Sequence, residues 1–360
     1  MTVIDIEPDT AELAAAGVAT MRIVRVVRET DDAVSIELTP DEAHADRFGY
    51  KPGQFLTLRI PSDLTGSVSR CYSLSSAPHE GGPLKVTVKR TVAGYGSNWL
   101  CDNAAEGMSM QVLPPSGIFV PGSLDTDLLL FAGGSGITPV LSILKETLAR
   151  GTGHCTLIYA NQHENSVIFA TELAELAAAH PDRLLVVHWL QSVQGLPSVE
   201  QLAALALPWA GREVFVCGPG PFMDAVGNAM TALGADRKRV HMEKFVSLSG
   251  NPFEIDTSAA DIEAAAAEGD NATVQVELDG ENHEVTWPKQ QTLLDVLLAK
   301  GLDAPYSCKE GACSACVCRV VSGEVSMRRN EILEEEDIAE GYVLACQAVP
   351  VTDDVSVTYS

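Results

Sequence analysis

The 360-residue chain carries 49 Asp and Glu against 24 Lys and Arg, a net charge of −25, with 46% apolar residues and a mean hydropathy of +0.09. That length exceeds one small core and predicts two or three domains, while the acidity excludes a phosphate-gripping, nucleic-acid role. No apolar run is long enough for a bilayer span, and the acidic opening MTVIDIEPDTAELAAAG lacks the basic region and apolar core of a signal peptide, so a cytoplasmic setting is expected.

Residues 1–17 read as an N-terminal extension. Residues 18–122 read as an antiparallel β-barrel, because short alternating runs such as 54–60 and 84–89 put apolar side chains on one face between Pro-Gly and Gly-Gly turns. The texture changes over 123–246. A continuous apolar run at 128–132 leads into GGSGITP and a helical pattern to 150. Strands at 155–160, 183–189 and 213–217 then alternate with helices at 171–179, 198–206 and 221–233. Such alternation predicts an α/β doubly wound domain with a parallel sheet, and Ser198 with Gln201 fits a capping box.

The Ala-rich, acidic stretch 247–272 reads as a linker. A third unit covers 273–360, where strands at 274–278 and 283–287 flank an Asp279-Gly280 turn and a helix at 292–300 ends on Gly301. Residues 247–360 hold sixteen of the net negative charges. Such a concentration is either a solvated surface or a docking face for a basic partner.

Nine cysteines, an odd number, with four crowded into 308–318, argue for metal ligation rather than a disulfide scaffold. Cys308-x4-Cys313-x2-Cys316, followed after 29 intervening residues by Cys346, has the plant-type ferredoxin spacing for a [2Fe–2S] cluster. Gly311, Ala312, Ser314 and Ala315 are small enough for backbone N–H groups to approach the sulfurs. A four-cysteine zinc site is the alternative, though two C-x2-C pairs would suit it better. Cys71, Cys101, Cys155 and Cys318 read as buried core side chains.

Two barrel motifs point to a flavin. In Arg70-Cys71-Tyr72-Ser73, Arg70 and Tyr72 share one strand face and supply a phosphate-binding cation and an aromatic platform. Ser73 needs twisted geometry to reach the flavin N5. Gly94-Tyr95-Gly96-Ser97 leads to a helix with Ser97 as its cap, offering free N–H groups to a pyrophosphate. Val88 and Lys89 would flank the ring, though surface strand positions are their ordinary reading.

The Gly133–Pro139 turn, GGSGITP, lies between strand and helix, with Thr138 expected as N-cap and Pro139 as first helical residue. It departs from the G-x-G-x-x-G fingerprint, since Pro139 takes the last glycine's place. Cys217-Gly218-Pro219 follows a parallel strand on the same sheet edge, where Cys217 is either a nicotinamide neighbour or a buried strand end. NQHEN at 161–165 offers no Arg or Lys for a 2′-phosphate, which favours NADH over NADPH, with Arg183 as the one cation able to fold in.

In this order, R-x-Y-S, the G-x-S turn, G-x-G-I-T-P and C-G-P resemble the ferredoxin–NADP reductase superfamily, and the appended ferredoxin motif resembles the reductase components of multicomponent oxygenases. RCYSLSS, VKRT, SNWLCDN and HWLQSVQGLPS are most similar to the branch serving 3-ketosteroid 9α-hydroxylases. Phenylacetyl-CoA epoxidase reductases are alike in layout. The resemblance implies a β-grasp fold for the ferredoxin domain and FAD on Arg70, Tyr72, Ser73, Val88, Lys89, Gly96 and Ser97, with FMN an alternative. It implies nicotinamide nucleotide beside Gly134, Gly136, Thr138, Cys217 and Gly218, with Ser73, Cys217 and Phe245 at the reacting centre and Glu243 or Phe245 facing the flavin. The expected function passes electrons from NADH through flavin and cluster to a separate, Rieske-type oxygenase. Its docking surface would be the acidic cluster-domain face that includes Glu331, Glu334, Glu335, Glu336, Asp337 and Glu340. A non-catalytic iron–sulfur carrier or sensor is the rival from another class.

Overall fold

A computed structural model describes residues 18–42, 44–246, 248, 250–253 and 259–359. The expected N-terminal extension, 1–17, lies outside them. Three units follow one another. The first contains β1 (Ala19–Thr30), β2 (Ala33–Pro40), β3 (Phe55–Ser62), β4 (Gly66–Ser73), β5 (Leu84–Lys89), helix α1 (Tyr95–Asn103) and β6 (Ser109–Ser116). Its antiparallel sheet runs β4-β3-β6-β1-β2-β5, and a bridge between Leu74 and Val86 joins the two edges into a barrel. Alternate positions of these strands, among them Met21, Ile23, Ile36, Leu38, Leu56, Leu58 and Ile60, fill the interior.

The second unit contains β7 (Leu128–Gly133), α2 (Ile137–Arg150), β8 (Cys155–Asn161), α3 (Ala170–Ala179), β9 (Leu184–Leu190), α4 (Val199–Ala206), β10 (Glu213–Cys217), α5 (Gly220–Ala232) and β11 (Val240–Glu243). All neighbours in the order β11-β10-β7-β8-β9 are parallel. Residues of α2 and α3 pack on one sheet face, and those of α4 and α5 on the other. Every residue of β7 is buried, as a strand covered on both faces must be. Chain order reverses between β7 and β10, so the crevice at their carboxyl ends is the topological switch point. Ser198 and Gln201 form the expected reciprocal cap.

The first two units meet through a polar network. Lys145 of α2, only 4% exposed, donates to Glu80 of the barrel unit at 2.9 Å and to Glu172 of α3 at 3.1 Å. Glu146 accepts from His79, and Ser142 donates to Ser76 O at 2.6 Å. Buried donors matched one to one fix the mutual register of the two units.

The third unit contains α6 (Ala259–Ala267), β12 (Asn271–Leu278), β13 (Glu281–Pro288), α7 (Leu293–Ala299), β14 (Val317–Ser322), β15 (Val325–Met327), α8 (Glu335–Ala339), β16 (Tyr342–Leu344), β17 (Ala348–Pro350) and β18 (Asp354–Thr358). Its sheet order is β13-β12-β18-β14-β16, with β12 and β18 parallel and the other pairs antiparallel. Helix α7 lays Leu293, Leu294, Val296 and Leu297 onto it, beside Trp287. Asp279 and Gly280 both have positive φ, the signature of the two-residue turn. Within the stretch read as a linker, α6 buries Ile262 in this unit's core. An Ala-rich acidic run has little periodicity of its own, so one buried isoleucine decides where it belongs.

Candidate redox site

Strand β4 carries the site on two faces. Arg70 and Tyr72 share one. The Arg70 guanidinium donates to Ser69 O and, at 3.0 Å, to Leu248 O. Tyr72 packs against the barrel core, and burial pushes its phenol well above the usual range. Helix α1 lies against Arg70 so closely that a Cβ on Gly96 would stand 2.9 Å from both Arg70 Cγ and Ile60 Cδ1. A cation beside the N–H groups of a helix start is a phosphate cradle by its chemistry, so these residues fit a flavin nucleotide. Ser97 is not the cap expected of it: the helix begins two residues earlier, at Tyr95, and Ser97 Oγ instead accepts from Thr91 N–H at 3.0 Å, closing the preceding turn. Val88 is fully buried in the barrel core. Lys89 pairs with Asp32 at 3.5 Å.

The opposite face of β4 presents Ser69, Cys71 and Ser73 to the C-terminal half. Ser69 Oγ donates to Gly250 O at 3.0 Å, Cys71 Sγ lies 3.4 Å from Ser307 Oγ, and Ser73 Oγ donates to Glu243 at 3.2 Å. The Glu243 carboxyl sits in a crowded cleft, although part of the residue reaches solvent. Burial pushes it up to about 8, against the Ser73 hydrogen bond. Cys217 is fully buried, and desolvation, then Glu243, holds its thiol well above the ordinary range. Phe245, two residues past Glu243, is half exposed.

The two nucleotide motifs meet at the switch point. A Cβ on Gly136 would lie 2.1 Å from Cys217 O, and one on Gly133 would lie 2.8 Å from Pro219. Tyr159 Oη donates to Gly134 O at 3.1 Å. Gly134 has φ +53, and a Cβ there would lie 3.8 Å from the Lys89 ammonium of the barrel unit. Thr138 and Pro139 do not open the helix as expected. A tight turn over Gly134–Gly136 brings the backbone into helical conformation early, α2 starts at Ile137, and Thr138 Oγ1 donates to Ser135 O. Arg183 is committed elsewhere, its guanidinium donating to the carbonyls of Thr147, Leu148, Gly151 and Gly153.

Cys308, Cys313, Cys316 and Cys346 all converge, buried, on one loop. Cys308 Sγ accepts from the Glu310 N–H at 3.3 Å, with Cys313 and Cys346 beside it. These two cysteines, with backbone N–H groups of Glu310 and Ala312, hold its thiol far below the usual range. Gln347 reaches Cys346 Sγ at 3.6 Å. Lys309 and Gly311 have positive φ, and a Cβ on Gly311 would lie 2.7 Å from Arg329 O, so the loop requires glycine there. Among the described residues no three or more His, Cys, Asp or Glu side chains have single-ion geometry. The donor set is four soft sulfurs with N–H groups aimed at them, which fits an iron–sulfur cluster. Cys318 lies in the core of the unit. On the acidic face, Arg237 of the second unit pairs with Glu334 and, at 3.5 Å, Glu336, while Lys238 pairs with Glu340 at 2.9 Å.

The sequence suggested Cys71 as plain core. What it missed is the seam, and the signal was the period-two run Ser69-x-Cys71-x-Ser73. Lys145, Glu80 and Glu172 carried no signal, because their pairing joins separate units.

Fold and site define an oxidoreductase with flavin, nicotinamide and [2Fe–2S] modules. Residues 22–120 match the oxidoreductase FAD-binding domain family, 130–228 the oxidoreductase NAD-binding domain family and 276–351 the 2Fe-2S iron-sulfur cluster binding domain family. The chain is 56% identical to the 3-ketosteroid-9-alpha-monooxygenase ferredoxin reductase component of Rhodococcus rhodochrous, over 94% of this chain and 96% of that protein. It is 33% identical to a component of the 1,2-phenylacetyl-CoA epoxidase of Escherichia coli, over 94% and 97%. Phthalate dioxygenase reductase shares the fold, with a TM-score of 0.58 at 24% identity over 96% of this chain and 99% of that one. The chain belongs to the family of the 3-ketosteroid-9-alpha-monooxygenase ferredoxin reductase components. Among the described residues no helix is long and apolar enough to cross a membrane.

Proposed function

We propose that the chain oxidises NADH and delivers the electrons singly to the oxygenase component of a 3-ketosteroid 9α-hydroxylase. A flavin held here would supply two-electron hydride chemistry together with one-electron release, and a [2Fe–2S] cluster would supply one-electron transfer. Arg70, Gly96 and Ser97 hold the flavin phosphates, Tyr72 packs the ring, and Val88 and Lys89 border it. Gly134, Gly136, Thr138 and Gly218 cradle the dinucleotide at the switch point. Ser73, Cys217, Glu243 and Phe245 border the place where nicotinamide and flavin meet, with Ser73 offering its hydroxyl and Glu243 a neutral carboxyl at neutral pH. Cys308, Cys313, Cys316 and Cys346 hold the cluster. The observation that carries this reading is that one strand, β4, presents Arg70 and Tyr72 on one face and touches the four-cysteine loop with the other.

NADH rather than NADPH is supported by the exposed Glu164 in the turn after β8, which would repel a 2′-phosphate, and by the commitment of Arg183 to backbone carbonyls. A plant-type cluster at about −400 mV makes the step to a Rieske centre at about −150 mV or above downhill. Charge complementarity supports the acidic cluster-domain face as the docking surface for a basic acceptor. Anaerobic addition of NADH to the purified protein tests the assignment: flavin and cluster absorbance bleach together, NADPH acts far more slowly, and the steroid oxygenase turns over only when this chain is added. Unbleached cluster absorbance after full flavin reduction sinks it.

A further inference from the structure

Thr57 and Ser307, both about 1% exposed, sit 250 residues apart in the chain, yet their hydroxyl oxygens are 2.6 Å apart. Cys71 completes the group, its sulfur 3.5 Å from Thr57 Oγ1 and 3.4 Å from Ser307 Oγ. Thr57 and Cys71 are direct cross-strand partners on β3 and β4. Ser307 directly precedes the ligand Cys308. Around this polar knot packs an apolar collar of Phe55, Leu248, Ala312 and Ala315. A buried hydroxyl pair is directional, and a shift of the loop that parts the two oxygens leaves them without partners, which burial penalises. Apolar contacts alone would tolerate sliding.

We infer that the Thr57–Ser307–Cys71 knot is a positioning device that locks the cluster loop in register against the strand carrying the flavin residues, and so sets the rate of flavin-to-cluster electron transfer. The inference rests on the proposed function and assigns these three residues a role in its internal step. Each crossing moves one electron, oxidising the flavin by one equivalent and reducing one ferric iron to ferrous, with no bond made or broken. Hydride transfer happens elsewhere, at the switch point between β7 and β10, so the knot should affect one step and leave the other alone.

The test compares Thr57→Val, which removes the hydroxyl at nearly constant shape, with Thr57→Ser, which keeps it, both as full-length protein carrying flavin and cluster. Three readouts are taken: NADH–ferricyanide reduction, which draws on the flavin; the single-turnover flavin-to-cluster rate; and amide exchange over 307–316. In Thr57→Val the internal rate falls at least about tenfold, in line with small misplacements of reacting groups, exchange of the loop accelerates, and ferricyanide reduction stays within about twofold. Thr57→Ser behaves as wild type. Wild-type internal transfer in Thr57→Val overturns the inference, as does equal slowing in both variants or a parallel loss of ferricyanide activity. Should NADH leave the wild-type flavin oxidised, the proposed function fails instead, and loop exchange still decides whether the knot holds the register.

Discussion

Gly136→Ala probes the contact on which the nicotinamide site is built. A methyl there would stand 2.1 Å from Cys217 O, 2.3 Å from Cys217 C and 2.7 Å from Gly218 N, whereas real Cβ contacts almost never fall below 3.0 Å. These are backbone atoms, so no rotamer relieves the clash. The Gly133–Pro139 turn and the Cys217-Gly218-Pro219 turn must part by roughly 1 Å. A displacement of that size in a site that aligns a hydride donor costs up to about 100-fold in rate, or about 2.7 kcal/mol of transition-state stabilisation. The assay is kcat/KM for NADH with ferricyanide, an acceptor that bypasses the cluster, on protein whose flavin and iron contents match wild type. The loss should lie in both kcat and KM, since the two turns are those proposed to bind the dinucleotide and place its ring. Wild-type kinetics in a correctly loaded Gly136→Ala protein would refute the claim that the turns meet tightly to form one site.

Lys145→Met leaves Glu80 and Glu172 without their shared cation. Removing one partner of a buried pair costs about 3–5 kcal/mol. Because both carboxylates are about one-third exposed, the expected loss is nearer 2 kcal/mol, a fall of about 5 °C in the melting of the first two units. Glu243→Gln separates out one titration. The folded carboxyl is raised to about 8, so its contribution to stability is full below the ordinary carboxylate pKa and is lost as pH rises through about 8. Wild-type Tm should therefore drop relative to the Gln variant between pH 5 and 9, and parallel profiles would count against the raised carboxyl. Arg237→Ala with Lys238→Ala frees Glu334, Glu336 and Glu340 from their pairing with the second unit. At low salt the double variant should show a lower KM for the oxygenase than wild type. The gap should close as ionic strength shortens the reach of exposed charges, and a salt-independent gap would argue against an electrostatic docking face.

The two soluble-cofactor folds were legible because their signals are local. Alternation with Pro-Gly turns specifies the barrel, and a buried apolar strand followed by glycines specifies the parallel sheet. The convergence of Cys308, Cys313, Cys316 and Cys346 was legible because cluster chemistry constrains the spacing of the ligands we propose. Helix caps were read three residues late at Ser97 and two late at Thr138. Capping residues predict the first free N–H groups, but the first helix starts directly after extended Gly94, and before Thr138 a glycine turn had already entered helical conformation. Least legible was everything that joins the units. Thr57 and Ser307 are ordinary hydroxyls until 250 residues of folded chain bring them together, and Glu334, Glu336 and Glu340 read as open acidic surface although Arg237 and Lys238 lie against them.

The units are joined by two different kinds of interface, and the difference follows the two kinds of transfer. A hydride moves only when donor carbon and acceptor nitrogen are brought to near contact. Its two binding units are accordingly held by a buried network, in which Lys145, Glu146 and Ser142 each have a matched partner across the boundary. An electron needs no such contact and can cross the thickness of a strand. The cluster unit is joined on one side by half-exposed ion pairs, weak in themselves and sensitive to salt. Its buried polar hold is at Thr57, Cys71 and Ser307, and Tyr306 packs against the apolar cluster of Val18, Leu113 and Phe253. A unit seated along the barrel and clasped to the second unit by salt-sensitive ion pairs could rearrange at its acidic edge without disturbing the geometry in which NADH reacts. That division predicts that an acceptor's arrival changes exchange around 334–340 while leaving the 76–80 and 142–146 contacts between the first two units protected.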